Sequence, residues 1–239
     1  MAPVERQVRD GLPTRSRVPT IRSVLTAEYR STQPDSDALR LLLILDEAGG
    51  SPGRDASDSA VAVMKSQIAF LARDFWVRYP EYLAEELAHA AVGSGDEALL
   101  VEAERLLSEE LIEVDWLPMV RWRNGAYWWM NDAIAILTAH AFVDYRPRPA
   151  ADGIAAHIYY LTANGRDFAR TVLRGEPEFA AIRDRARLAA LIDPDSPGSL
   201  LKHGQYAVET YAATPCGLTI PRRLAEARAA IPEIRRNWT

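Results

Sequence analysis

Apolar residues first recur at helical spacing in "SDALRLLLILDEAGG", Ser36 to Gly50, where Leu39, Leu42, Leu43 and Ala48 mark one face. Asp37 suits an N-cap there, and Gly49-Gly50 closes the segment. Between Ala60 and Tyr79, the residues Met64, Ile68, Leu71, Phe75 and Trp76 lie three or four apart, which predicts a second helix with a buried aromatic end. Pro80 interrupts it, and "EYLAEELAHAAVG" continues helically as far as Gly93 to Gly95. Leu99, Leu100, Ala103, Leu106 and Leu107 place a third long helix over about Asp96 to Glu113. After Pro118 and Asn124-Gly125, a helix is expected from about Ala126 to Ala141.

The period then changes. Phe142, Val143 and Tyr145 form an outgoing strand, and Ala156, Ile158 and Tyr160 a return strand. The return strand runs straight into a helix at "YYLTANGRDFARTVL", where Thr162 can cap, Asn164-Gly165 can turn, and Phe168, Val172 and Leu173 carry the helical period. Two more helical patterns, about 178–192 and 199–213, flank "DPDSPGS".

A helix directly before a β-hairpin, and another directly after the return strand, follow a winged-helix order. The helix at 126–141 then occupies the recognition position and the hairpin is the wing. "YYLTANGRDFA" resembles the Tyr-x-Leu-Thr-x-x-Gly-x-x-x-Ala signature of many bacterial winged-helix proteins. The expected fold is mainly α with a small β-hairpin wing: an N-terminal arm over 1–36, a winged-helix-like domain over 37–174 and a C-terminal helical region over 175–239.

Composition narrows the chemistry. No apolar run approaches the ~18 residues a membrane span requires, and the opening "MAPVERQVRDGLPTRSR" has no signal-like core, so a cytoplasmic chain without membrane contact is expected. A single cysteine, Cys216, excludes an intramolecular disulfide. A net charge of -5 argues against non-specific coating of nucleic acid. Both ends are nevertheless locally basic, with six arginines against four acids in residues 1–36 and five against two in residues 219–239.

Motifs that could carry catalysis do not complete. "LLLILDE" imitates the strand that positions magnesium in nucleotide hydrolases, but Lys65-Ser66 follows "SAVAVM", which has no glycine for a phosphate-cradling loop. His89, His140, His157 and His203 fall in no metal-ligand spacing, although His140 and His157 could meet. The paired acids Glu85-Glu86 and Glu109-Glu110 read as solvated helix faces. No catalytic residue, metal site or cofactor is expected. What remains is an alternation of arginine and aromatic residues, and it marks Arg121, Trp122, Arg123, Tyr127, Trp128 and Asn131 as a candidate partner or DNA interface. A tryptophan-rich core with arginine stems lying over it is the competing explanation.

Taken in order, "ALRLLLILDEAGG", "KSQIAFLARDFWVRYPEYLAEELA", "MVRWRNGAYWWMNDAIAILTAHAFVDY" and "YYLTANGRDFA" resemble the middle component of bacterial ABC three-component systems, which overlap the Lamassu-type anti-phage and anti-plasmid defence complexes. The most telling pieces are "RYPEYL" and "VRWRNGAYWW"; family members often carry a Tyr-Gly-Pro-like stretch where this chain has Asn124-Gly125-Ala126. The resemblance spans about residues 37–174. It implies an accessory subunit without a catalytic centre, set between an SMC-like ATPase and an effector nuclease, that meets DNA through the complex. The main alternative is a free-standing winged-helix transcription regulator that inserts Tyr127 to Ala139 into a major groove; on that helix only Asn131 suits base reading. A small-molecule hydrolase comes last, for want of a catalytic trio.

Overall fold

Residues 34–54, 56–123, 125–148, 156–173, 177–192 and 198–238 are described in the computed structural model. Residues 1–33 of the arm expected over 1–36, and the tip of the hairpin between residues 148 and 156, lie outside them; residues 34–36 belong to the first helix. The chain is mainly helical with a small antiparallel sheet.

The first helix, α1 (Pro34–Ala48), is the axis of the molecule. Leu41 to Leu45 are all fully buried, five in succession, so this helix is enclosed on every side instead of packing by one apolar stripe. Asp37 does not cap it. It lies inside the helix, buried, and pairs with Arg40 one turn on at 2.5 Å.

The residues expected to open the second helix form a strand instead, β1 (Ala60–Met64). Its Ala-Val-Ala-Val alternation suits pairing with a neighbouring strand better than continuing a helix. The helix begins after Ser66, whose hydroxyl accepts the Ala69 N–H at 3.4 Å, and runs as α2 (Gln67–Arg78). Pro80 opens α3 (Pro80–Ser94), and Gly95, at φ 74°, closes it in the left-handed region. Asp96 caps α4 (Glu97–Ser108), which ends five residues earlier than its apolar spacing predicts. A single 3₁₀ turn, Glu113–Trp116, follows.

The largest departure from the sequence reading comes next. Ala126 and Tyr127 are not helical; β2 (Val120–Trp122) and β3 (Gly125–Tyr127) make a tight hairpin. Gly125 sits at φ 112°, a backbone angle that other residues rarely adopt, and it opens β3 instead of leading into a helix. The helix that precedes the long hairpin is correspondingly shorter, α5 (Asn131–Ala139).

The strands β4 (Val143–Arg148) and β5 (Ala156–Thr162) pair as expected, and β1 joins the free edge of β5, giving the order β1-β5-β4. Thr162 accounts for the abrupt junction of β5 with α6 (Ala163–Val172). Its hydroxyl donates to the Ala141 carbonyl at 2.7 Å and accepts the Gly165 N–H at 3.1 Å. A side chain at Gly165 would collide with the Phe142 carbonyl, so the first turn of this helix lies directly on the chain entering β4.

The remaining helices are α7 (Pro177–Leu191), α8 (Gly198–Ala207), α9 (Glu209–Ala213) and α10 (Leu224–Arg236). The helical pattern expected over 199–213 is thus broken between Ala207 and Glu209. These elements share the core of the preceding region: α7 packs on α1 and α2, α8 on α2, and α10 on α3 and α4. Ile182, Ala186, Leu201, Tyr211 and Ile231 join the same buried cluster as Leu41 and Phe75.

The basic C-terminal stretch is tied down by acids of this chain. Arg222 pairs with Glu81 at 3.0 Å, Arg223 with Glu85, and Arg235 with Glu104 at 2.5 Å and Glu97 at 3.1 Å. Burial holds the Glu81 carboxyl above its ordinary value, while Arg222 pulls it the other way. Replacing Arg222 by alanine is expected to cost about 1–3 kcal/mol, since a buried acceptor loses its partner. Hydrogen exchange is expected to rise first in α10, and unchanged protection there would show that the latch contributes nothing.

Candidate interaction surface at the short hairpin

The β2–β3 hairpin is held from below and from one side. Tyr79, at the end of α2, accepts the Met119 N–H at 3.1 Å and donates to the Ile220 carbonyl at 3.2 Å. The segment 217–220 runs alongside β2 through an isolated antiparallel bridge between Val120 and Thr219: Arg121 N–H donates to Leu218 O at 2.8 Å and Ile220 N–H to Met119 O at 2.9 Å. Tyr82 donates to the Pro221 carbonyl at 3.0 Å. "RYPEYL" therefore has a structural explanation, because its tyrosines and Glu81 anchor the C-terminal segment against the hairpin.

The six candidate residues separate according to strand alternation. Arg121 and Ala126 are cross-strand partners, and the Arg121 guanidinium lies over the Tyr206 ring at 4.5 Å. Trp122 and Tyr127 are both half-buried and line one cavity of about 180 Å³ with Gln67, Ile68 and Leu71. Burial pushes the Tyr127 hydroxyl pKa up. Arg123 is exposed at the turn, and Asn131 is exposed at the start of α5. Trp128 departs from the surface reading: it is 5% exposed and belongs to the core.

Two cations lie over the Trp128 ring. The Arg78 guanidinium carbon is 4.4 Å from its ring centroid and that of Arg40 is 5.0 Å away. Both arginines converge on Asp74, Arg40 at 2.7 Å and Arg78 at 3.0 Å, and Asp37 completes the group. All four charged residues are at most 3% exposed. Burial alone would raise the Asp74 pKa, but Arg40 and Arg78 outweigh it and hold the carboxyl below its ordinary value. A second buried pair, Arg185 with Asp115 at 2.5 Å, joins α7 to the 3₁₀ turn, and Arg185 also donates to the Val77 carbonyl at 3.2 Å. Sequence reading passed over both groups. Asp74 and Arg78, one helical turn apart, and Asp37 with Arg40 were the available signals.

On α5, the exposed positions are Asn131, Asp132, Ala135, Thr138 and Ala139. The histidines that could have met are separated in contact: His140 stacks on Phe142 with centroids 5.4 Å apart, and His157 bonds Tyr145 at 2.5 Å. Among the described residues no group of three or more His, Cys, Asp or Glu could hold a metal ion, and no helix is long and apolar enough to cross a membrane. Comparison with known proteins adds no identification: no family model, curated protein or solved structure matches the chain.

Proposed function

We propose that the chain is a non-catalytic, winged-helix-like accessory subunit that works by binding other proteins. The observation that carries this reading is the exposed face of α5. It presents Asn131, Asp132, Ala135, Thr138 and Ala139 and no cation. A helix that neutralises phosphates and reads base edges needs several arginines, lysines or amides at those places, and Asn131 is the single amide there. The element order around it supports a winged-helix reading, with α5 followed by β4 and β5, and β1 completing the sheet on the far edge of β5. In that reading, α3, α4 and the short hairpin are an insertion between the second helix of the module and α5.

The specific assignment rests on the sequence resemblance. The chain would bridge an SMC-like ATPase and an effector nuclease in a cytoplasmic, Lamassu-type defence complex, passing on the sensing of foreign DNA. The half-buried Trp122 and Tyr127 with the exposed Arg123 give the short hairpin the aromatic and arginine content of a protein interface. Arg123→Glu is expected to weaken partner capture while leaving the unfolding midpoint within about 0.5 kcal/mol of the parent, because the residue is exposed. Undiminished capture would remove the hairpin turn from the interface.

Fluorescence anisotropy with labelled duplexes distinguishes the transcription-regulator reading. The isolated chain is expected to bind no duplex specifically, even at low salt. Sequence-specific binding with a steep salt dependence would replace the subunit reading with the regulator.

A further inference from the structure

A cavity of about 340 Å³ opens beside the first turn of α1, within the range of roughly 300–1,000 Å³ typical of small-molecule sites. Leu39 of α1, Ile136 of α5 and Phe179 of α7 supply apolar walls. The opposite wall is aromatic. His140, Phe142 and Phe168 form a stack, with interplanar angles of 20° and 19° and centroid separations of 5.4 and 4.5 Å. Phe168 keeps 41% of its surface exposed, an aromatic ring left uncovered by the fold.

Asp35 is the carboxylate in the lining, and it forms no ion pair among the described residues. Among the described residues no arginine or lysine lines the cavity. We infer that this cavity binds a small planar aromatic molecule with an ammonium or similar N–H donor at one end. The ring system lies against the edge of that stack and the uncovered surface of Phe168, and the donor meets Asp35 at the mouth. Since Ile136 and Leu137 belong to α5, such a ligand touches the buried side of the helix whose other side is exposed. Occupancy can therefore bias the position of α5.

Three probes of one ring system test the assignment with the full chain: tryptamine, indole and indole-3-acetate, followed by saturation-transfer NMR and titration. Tryptamine is expected to bind best and indole-3-acetate worst. Asp35→Asn is expected to weaken tryptamine about two- to fivefold, as for an exposed ion pair, without changing indole. Ala38→Phe, which fills the cavity, is expected to abolish binding of all three, with Leu39→Trp as a second filling variant should the first not fold. Absence of saturable binding by every probe, as when the chain's own residues close the cavity in solution, overturns the inference. So does equal binding by the parent and a folded filling variant. Preference for the anionic probe overturns the assigned ligand class.

Discussion

Asp74→Ala is expected to lower the stability of the protein by about 3–5 kcal/mol, measured as a fall in the urea midpoint at unchanged slope. The residue is fully buried and receives both Arg40 and Arg78; without it, two buried cations share only Asp37. The control is Asp144→Ala, which breaks an ion pair with Arg146 whose side chains are 35% and 43% exposed and should change stability by less than about 1 kcal/mol. Equal effects from the two variants would show that the buried network is not what holds α1 to α2.

The pH dependence follows with its sign. The folded-state pKa of Asp74 is depressed, so its contribution is fully present above the unfolded-state value of about 3.9 and is lost as pH falls towards the folded value. Urea midpoints for the parent are therefore expected to decline below about pH 4 more steeply than those of Asp74→Asn. Parallel declines would assign acid sensitivity to other carboxylates.

Trp128→Ala is expected to cost a further distinct 3–5 kcal/mol or so, the usual range for truncating a buried large aromatic. The loss has two sources. One is a cavity beneath β3, and the other is removal of the ring face that receives Arg40 and Arg78. The outcome is loss of soluble, folded chain, and not a selective loss of binding. Trp128→Phe restores a ring and is expected to recover most of the deficit. A folded alanine variant with an unchanged midpoint would contradict the core assignment of Trp128.

The elements written by local chemistry were legible from sequence. Thr162 specifies the β5–α6 junction by a local cap, accepting the N–H of Gly165 three residues on. Pro80 and Gly95 likewise bound α3. The failures arose where long-range contacts decide. Ala60 to Met64 is apolar throughout and precedes a helical spacing, and pairing with β5, about a hundred residues away in the chain, sets it as a strand. Ala126 and Tyr127 fit a helix by composition, yet Gly125 and pairing with β2, which the segment at 217–220 braces from its other edge, hold them extended. Trp128 shows the same limit at the level of the site. Its neighbours mark an arginine-aromatic surface, and only the approach of Arg40, 88 positions earlier, shows that it is buried. The basic charge of residues 219–239 is plain in the sequence, but its pairing with Glu81, Glu85 and Glu104, more than a hundred positions earlier, is not.

The central claim is that this chain acts by holding other proteins, with the β2–β3 hairpin among its contacts. Affinity capture of the tagged full chain from the cell that encodes it, at moderate salt and read by mass spectrometry, tests this most directly when the parent and Arg123→Glu are compared. The account predicts co-recovery of a large coiled-coil ATPase with the parent, with or without a nuclease, and a reduced yield with the variant. Recovery of the chain alone from the parent strain would contradict it.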